Sequence, residues 1–242
     1  MITALDHIAI ASTNAETDAA QLEALLGRRV SGGSAQLSNV ALRLVAKAGV
    51  EGIAGLAFAT DNVDADFKVC ERRALKPEPH GQGKVVSLST DATFGVPLSL
   101  VEHVPTAPAG TLASGAVTGL DHVVIRTTHP NRAVALYGAR LGLDLRLDRT
   151  ESRWGTRFMF FRCGDLIIEV VYNLKDEPSD APDHLWGVTW RVDDLEAAHA
   201  RLASASFDIS EMRTGRKPGT RVFTVRNKTL GVPTLMLQQA PA

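Results

Sequence analysis

The chain has 242 residues, 45% of them hydrophobic, and a formal net charge of −1 at pH 7. This length and composition suit one large or two mid-sized soluble domains, and the near-neutral charge argues against a general nucleic-acid or membrane-surface binder. No apolar run approaches the roughly 18 residues needed to span a bilayer, and no basic segment precedes Leu5, so we expect neither a membrane span nor a signal peptide.

The only two cysteines, Cys70 and Cys163, stand at non-equivalent positions in different halves of the chain and form no CxxC pair. This pattern predicts buried, inert thiols in a reducing compartment. We therefore expect a cytoplasmic protein.

Two segments of the first half return in the second half in the same order. The run Leu5–Ile10, Leu-Asp-His-Ile-Ala-Ile, returns as Leu120–Ile125, Leu-Asp-His-Val-Val-Ile. The tetrapeptide Gly95–Leu98 returns as Gly231–Thr234. Landmarks repeated in one order indicate an internal duplication, which usually builds two similar domains.

The domain boundaries follow from this repeat. Residues 105–116 are rich in Pro, Ala, Gly, Ser and Thr, which is typical of a linker. We therefore expect an N-terminal domain over residues 1–104 and a C-terminal domain over residues 117–242. The offset between the repeats grows along the chain, so the second half must hold extra residues, most of them near Asp148–Gly155 and Asn173–Asp183.

Each half divides again into two units with the same order of elements. A strand comes first, a helix follows, and about three strands close the unit. The helix starts carry recognisable signals, namely the capping box of Thr13 and Glu16, Pro130 in a first helical turn, and Asp61 and Asp193 as caps.

Three motifs resemble the vicinal oxygen chelate superfamily, which includes glyoxalase I, bleomycin-resistance proteins, extradiol dioxygenases and methylmalonyl-CoA epimerase. They are the Leu-Asp-His opening of each half, the Ile-Glu strand in Asp165–Val170, and the Val-Asp-Asp-Leu junction in Trp190–Leu195. The resemblance covers nearly the whole chain. It implies an α+β fold in which four strand-helix-three-strand units pair into two domains with curled, cup-forming mixed sheets.

The resemblance also implies a metal site, with His from the first strand of a unit and Glu or His from its last strand. Carried over by position, His122 and Glu169 match this pattern, and both are our candidates for metal binding and for catalysis. A single divalent metal, Fe, Mn, Zn or Ni, would then bind substrate oxygens. A cup without a metal stays open at this stage.

The second units of both halves lack standard ligands. A firm site usually takes about three or more protein ligands. We therefore consider Gln238, two residues beyond the expected position on its strand, and His184, just before its strand, as candidates for a third ligand. The residues at the expected second-unit positions are Gly55, Gly187, Leu100 and Met236.

The first half departs further from the pattern. His7 is present, but Arg43 stands where the family's Glu should be. We therefore expect the first cup to be structural or degenerate and the second half to hold the ligand.

A basic loop distinguishes the second half. Arg213–Arg221 holds four cations in nine residues, with glycines between them. Arginine and exposed backbone amides suit a carboxylate or phosphate, so Arg216 and Arg221 are candidates for substrate binding. Trp154 and Arg157, in a Trp-Gly-Thr segment, are further candidates, while a solvated hairpin stays open as the alternative for the loop.

These observations favour an enzyme of the lyase, isomerase or ring-cleaving oxygenase type, acting on a small oxygenated anionic organic molecule in the C-terminal cup. The alternative is a metal-free protein that binds or sequesters a small molecule, as bleomycin-resistance proteins do. Nucleic-acid and membrane partners are not expected, and a homodimer stays open.

Overall fold

The structure, a computed structural model, describes residues 2–47, 49–80, 84–102 and 112–240. The first half contains β1 (Ile2–Ser12), α1 (Ala15–Leu26), β2 (Ser34–Gln36), β3 (Ala41–Ala46), β4 (Ile53–Thr60), α2 (Val63–Arg72), β5 (Pro77–His80), β6 (Val85–Leu88) and β7 (Leu98–Glu102). The second half contains β8 (Val117–Arg126), α3 (Pro130–Val134) with a π-helical continuation (Ala135–Arg140), β9 (Asp144–Glu151), a 3₁₀ turn (Ser152–Trp154), β10 (Thr156–Cys163), β11 (Leu166–Asn173), β12 (His184–Val192), α4 (Leu195–Ser204), β13 (Arg213–Thr214), β14 (Thr220–Val225) and β15 (Thr234–Gln239).

The two sheets repeat one strand order. The seven-stranded sheet runs β2-β3-β1-β4-β7-β6-β5, and the eight-stranded sheet runs β9-β10-β11-β8-β12-β15-β14-β13. When β1 is matched to β8, every strand of the first sheet has a counterpart, and β9 is the addition. The predicted α+β fold, its mixed sheets and the duplication are thereby confirmed, and the sheets are open at both ends. Strand β9 accounts for part of the extra length of the second half.

The helices begin at side-chain caps. Asn14, Asn62 and Asp194 accept hydrogen bonds from backbone N–H groups three residues on, at 3.1, 2.8 and 2.8 Å. The caps of α1, α2 and α4 were expected at Thr13, Asp61 and Asp193 and lie one residue later in each case. The correction follows from geometry, because only the residue whose side chain reaches the third amide of the helix satisfies it.

A buried carboxylate in the first turn of α1 and of α2 also repeats. Asp18 accepts hydrogen bonds from the Ser12 hydroxyl at 2.8 Å and from the Thr13 amide at 3.0 Å. In α2 the Thr60 hydroxyl donates to Asp66 in the same way. Both carboxylates tie the end of a strand to the start of the next helix, which supports the division of the first half into two similar units.

By internal contacts the chain forms two compact units, and each half contributes to both. The first consists of Met1–His7, Gly55–Pro105 and Val123–Trp186; the second consists of Ile8–Ala54, Thr106–His122 and Gly187–Ala242. The domains expected over residues 1–104 and 117–242 stay predictions. So does the linker over residues 105–116, of which residues 105–111 lie outside the described part of the chain.

Within the first unit, one arginine ties α2 to the helix that follows β8. Arg140 donates to the carbonyl oxygens of Arg73 and Ala92, both at 2.9 Å, and also to that of Ala74. The core here includes Tyr137 and Phe161, both fully buried, with ring centroids 5.6 Å apart.

In the second unit, one arginine again donates to backbone carbonyl oxygens of neighbouring segments. Arg201 of α4 donates to the carbonyl oxygens of Leu25 at 3.1 Å and Gly115 at 3.3 Å, and also to that of Ala24. Unpaired carbonyls at a helix C-terminus carry partial negative charge, so a guanidinium there both satisfies and neutralises them. No helix in the described ranges has the length and apolar character of a membrane span.

Candidate functional site

A chain of hydrogen bonds surrounds His122 in the second compact unit. Its Nδ1 lies 2.8 Å from Oδ2 of Asp121, and its Nε2 lies 2.9 Å from the hydroxyl oxygen of Thr189. An ionised carboxylate can only accept, so Nδ1 carries the proton. In the neutral ring Nε2 then accepts from the Thr189 hydroxyl. The side chain of His122 is 20% exposed.

Two cationic side chains act on this hydrogen-bonded cluster. Arg191 places Nε 3.4 Å from Oδ1 of Asp121, and Lys217 of the basic loop lies within electrostatic range of the same carboxylate. Burial alone would raise the pKa of Asp121, but the hydrogen bond and charge of His122, together with the charges of Arg191 and Lys217, hold it below its usual value. The carboxylate therefore stays ionised and keeps the proton on Nδ1.

Strand pairing shows which neighbours share the face of His122. Thr189 of β12 pairs with Leu235 of β15, so Leu235 lies on the same face as the His122 cluster. Trp190 pairs with Met236, and both are buried on the opposite face. The ring of Phe223, which pairs with Met236, packs edge-on against His199 of α4 at 5.1 Å. The second face is therefore the helix face of this part of the sheet.

Two expected site residues lie on the helix face. Gln238 donates from Nε2 to the carbonyl oxygen of Asp193 at 2.6 Å, at the start of α4. Arg221 pairs with Gln238 across the strands and forms an ion pair with Glu196 of α4. This register does not favour Gln238 as a third ligand beside His122 or Arg221 as a substrate-binding residue there, and both stay predictions.

Arg216 lies in the loop between β13 and β14 and is exposed. Its neighbour Lys217 is the residue of the loop whose charge acts on Asp121. The expectation that the basic loop approaches the site thus rests on Lys217, with Arg216 next to it. His184, the other candidate for a third ligand, is the exposed first residue of β12.

Glu169 belongs to the first compact unit and is half-buried on β11. Its strand neighbours Ile168 and Val170 are fully buried on one face, while Glu169 lies on the other. Directly across on β10 is Phe160, whose ring is 6.2 Å from that of Phe158. Phe158 in turn meets Trp154 at 5.9 Å, edge to face. Trp154 is therefore the exposed end of an aromatic row that runs up to Glu169.

Arg157 lies on the other face of the same strand. It shares a side of β10 with Met159 and Phe161, both fully buried. Its guanidinium donates to both oxygens of Asp148, at 2.8 and 2.7 Å, and to Asn131 of α3 at 3.1 Å. The pair lowers the pKa of Asp148 and raises that of Arg157. Substrate binding by Arg157 stays a prediction, which the structure does not favour, because strand alternation turns Arg157 toward the helix and away from the face of Glu169.

The donor set does not fit a resident divalent metal. Within the described residues there is no group of three His, Cys, Asp or Glu side chains that could hold an ion. Two neighbouring positions on the β12 and β15 side of His122 offer no metal ligand. Leu235 is apolar, and a Cβ added to Gly187 would lie 2.7 Å from the carbonyl oxygen of Pro233. Nε2 of His122, the usual ligand atom when Nδ1 meets a carboxylate, is already bonded to Thr189.

The first half repeats only part of the cluster. His7 places Nδ1 2.7 Å from Oδ1 of Asp6, just as His122 meets Asp121. By the alignment of Gly55 with Gly187, however, the position of Thr189 is taken by Ala57. The first half thus keeps the His–Asp pair and lacks the hydroxyl.

Comparison with known proteins bears on the fold and the family. Residues 119–229 match the model of the glyoxalase/bleomycin resistance protein/dioxygenase superfamily. None of the curated proteins compared with the chain matches it. An Mn(II)-bound glyoxalase from Novosphingobium aromaticivorans is 17% identical with a TM-score of 0.72, over 99% of this chain and 83% of that one.

Two further solved structures match over the whole chain. A catechol 2,3-dioxygenase is 17% identical with a TM-score of 0.69 and is covered over 90% of its length. A variant of 4-hydroxymandelate synthase from Streptomyces coelicolor is 14% identical with a TM-score of 0.70 and is covered over 94% of its length. At these identities the likeness establishes the fold.

The duplicated unit, its strand order and these matches define a two-sheet fold of the glyoxalase type. The family match over residues 119–229 agrees with the resemblance to the vicinal oxygen chelate superfamily that the motifs indicated. The resemblance stated from the sequence is thereby confirmed.

Several residues of the His122 cluster were missed by sequence reasoning. Asp121 was visible in the Leu-Asp-His motif but was counted as a marker of the fold. Thr189 and Arg191 lie in an otherwise apolar strand, where period-two alternation from Gly187 would have placed them on one face. Lys217 lay inside the basic loop that was singled out, but arginines were preferred for their geometry.

Proposed function

We propose that the protein is an enzyme that moves a proton on a small oxygenated carboxylate, a lyase or isomerase reaction, with His122 as the base. The observation that carries this proposal is the Asp121–His122–Thr189 chain, with Arg191 close to Asp121 and the charge of Lys217 acting on the same carboxylate. The superfamily fold and its enzyme neighbours support an enzyme over a protein that only sequesters its ligand.

Asp121 fixes which nitrogen of His122 is basic. Its carboxylate accepts from Nδ1–H and leaves the lone pair on Nε2, the arrangement that suits a general base. A substrate that reaches Nε2 takes the place of the Thr189 hydroxyl, which donates to it in this structure. The base is therefore already oriented before substrate arrives.

Arg191 and Lys217 suit the anionic part of the substrate. Proton removal next to a carbonyl places negative charge on oxygen, and cations fixed nearby stabilise that charge. Arg191 can bind a carboxylate bidentately, and Lys217 adds a point charge on a loop. Arg216, next to Lys217, is a further candidate for this role.

Glu169 and the aromatic row are proposed as further residues that act on the substrate. Strand β11 adjoins β8 in the eight-stranded sheet, and Glu169 is a polar residue among apolar neighbours. We propose that Glu169 acts with His122 as an acid–base residue and that Trp154 binds an apolar part of the substrate. Their meeting in one cup stays a prediction from the superfamily pattern.

A metal-dependent enzyme is the second candidate. The observation in its favour is the carboxylate on Nδ1 of His122, because metal-binding histidines commonly carry such a partner. The Mn(II)-bound state of one structural neighbour agrees with it. His122 and Glu169 would then hold the ion. We rank it second, because two protein donors are short of the usual three.

Cellular location and assembly belong to the proposal as well. Cys70 and Cys163 are buried and unpaired, and burial raises their pKa to about 11 and about 12, which supports inert thiols in a reducing, cytoplasmic setting. A homodimer is supported by the edge position of β9, whose Leu147 is 40% exposed.

The proposal is tested by exchange of substrate protons with solvent. A panel of small 2-oxo and 2-hydroxy carboxylates is incubated with the protein in deuterated water, and loss of C–H signals is followed by NMR. We expect exchange for at least one compound, reduced by about 10²- to 10⁴-fold in His122→Gln, since that is what a general base contributes.

The matched control is His7→Gln, because His7 carries the same carboxylate pair in the first half. It should leave exchange nearly unchanged. Equal loss in His7→Gln and His122→Gln would contradict the choice of the second half, and exchange that survives in His122→Gln would contradict the assignment of the base.

A further inference from the structure

We infer that Thr189 occupies the place at Nε2 of His122 that a divalent metal ion would need, and so weakens metal binding by this histidine. The inference concerns a site for borderline cations with which one hydroxyl group competes. It rests on the geometry at His122 alone, so it stands or falls separately from the proposed reaction.

The first step is that both ring nitrogens of His122 are engaged. Nδ1 meets Asp121 at 2.8 Å and Nε2 meets Thr189 at 2.9 Å, both within ordinary hydrogen-bond length. A metal ion at Nε2 needs the same lone pair, about 2.0–2.1 Å from the nitrogen. The hydroxyl and the ion therefore exclude one another.

The second step is that Thr189 is held where it is. The residue is 3% exposed and lies within β12, paired with β15 through Leu235. A β-branched side chain on a strand has few rotamers, which favours the one that directs the hydroxyl at the ring until a ligand displaces it. Leu235 is the neighbour that would otherwise offer a ligand from the adjoining strand, and it has no donor atom.

The third step comes from the repeat. The first half builds the same adjoining strands, β1 and β4, with the same His–Asp pair and with Ala57 at the equivalent position. The strand pair therefore does not require a threonine there. The hydroxyl is a specific feature of the second half and acts on His122.

The test is a titration with Ni²⁺ alone, by calorimetry at fixed pH, on the wild-type protein and on Thr189→Ala. Removing the hydroxyl should strengthen binding about three- to tenfold, the change that matches the net worth of one hydrogen bond. Thr189→Ser keeps the hydroxyl and should show no gain. The double variant Thr189→Ala with His122→Asn should lose the gain, which separates this site from other histidines.

A second readout covers the case in which Thr189→Ala does not fold. In the wild-type protein labelled with ¹⁵N, NMR of the imidazole should show the proton on Nδ1 and a hydrogen-bonded lone pair on Nε2. In the volume-conserving Thr189→Val, the Nε2 signal should move toward that of a nitrogen without a donor. A proton on Nε2 in the neutral wild-type ring would overturn the inference.

Two results of the titration would also overturn it. The first is a Thr189→Ala variant that binds Ni²⁺ no more tightly than the wild type does. The second is a gain that persists when His122 is replaced. Neither result bears on proton exchange by the wild-type protein, so failure here is distinguishable from failure of the proposed reaction.

Discussion

At the scale of single residues, the hydrogen-bond partners of a histidine decide which of its ring nitrogens is available. His122 and His7 occupy equivalent positions with equivalent carboxylate partners, and they differ by the hydroxyl of Thr189. The sequence was sufficient to select His122, because the Leu-Asp-His motif marks it and because the second half also keeps the expected glutamate, Glu169. It could not show Thr189 as its partner, since that contact joins residues 67 positions apart through strand pairing.

The proposed role of Arg191 in binding the anionic part of the substrate gives a prediction that contrasts it with Arg221. Arg191→Gln should weaken binding of the carboxylate found in the exchange screen by about ten- to hundredfold, the worth of one charge-assisted contact. Arg221→Gln should leave it unchanged, because Arg221 is paired with Glu196 on the helix face. Calorimetry on both variants checks this. A loss confined to Arg221→Gln would mean that the register places the wrong arginine.

Asp18 gives a pH-dependent prediction. Burial favours a higher pKa, but hydrogen bonds from the amides of Asn14 and Thr13 and from the Ser12 hydroxyl outweigh it and lower the pKa. Its contribution to stability is therefore present above the ordinary Asp pKa of about 3.9 and is lost as pH falls through the lowered folded-state value. Asp18→Asn should cost about 1–3 kcal/mol at neutral pH, with a gap to wild type that narrows in acid.

Urea unfolding across pH measures this gap. Glu16→Gln is the matched control, because Glu16 is an exposed carboxylate in the same helical turn and makes no comparable set of bonds. A gap for Asp18→Asn that stays constant down to the most acidic conditions would show that the carboxylate charge is not the cause.

At the scale of elements, alternation decides what each strand presents. On β11 the polar Glu169 between buried Ile168 and Val170 makes the phase readable from the sequence. On β15 the run Leu235-Met236-Leu237 is apolar throughout, so no alternation marks its faces. Only the pairing with β12 shows that Leu235, and not Met236, shares the face of His122. The placement of Gln238 could not be predicted for this reason.

The polar, Pro-rich connection before β12 is exposed over residues 173–182, but its last residue, Asp183, is not. Asp183 is buried and accepts hydrogen bonds from the Thr127 hydroxyl at 2.9 Å and from Arg132 at 2.8 Å. The guanidinium of Arg132 also stacks on Phe94 at 4.4 Å. A polar, Pro-rich segment indicates a loop correctly, but composition does not identify the one carboxylate that ties it to α3.

This anchor makes a stability prediction. Asp183→Ala removes the buried carboxylate that pairs with Arg132, so it should lower the free energy of unfolding by about 3–5 kcal/mol. Asp180→Ala, a fully exposed carboxylate in the same segment, should change it by less than about 0.5 kcal/mol. Urea denaturation compares the two. Similar small effects would show that the buried pair contributes nothing to stability.

At the scale of the whole molecule, duplication made most of the fold predictable. Repeated motifs in one order gave the two sheets and the strand-helix-strand units, and the matching strand orders confirm them. The two compact units each draw on both halves, which the repeat alone does not reveal. Two ligand positions of the superfamily's metal pattern, those of His122 and Glu169, could be matched in the sequence. Gly187 and Leu235 offer no side chain that could serve as a third ligand.

The central claim is that His122 moves protons in this protein without a resident metal ion. The most direct measurement is proton exchange on the same substrate after the protein has been stripped with a chelator, with metal content determined by mass spectrometry on the same sample. We predict undiminished exchange at substoichiometric metal. Exchange that disappears with the chelator and returns with one equivalent of a divalent ion, together with loss of that ion in His122→Gln, would contradict the account.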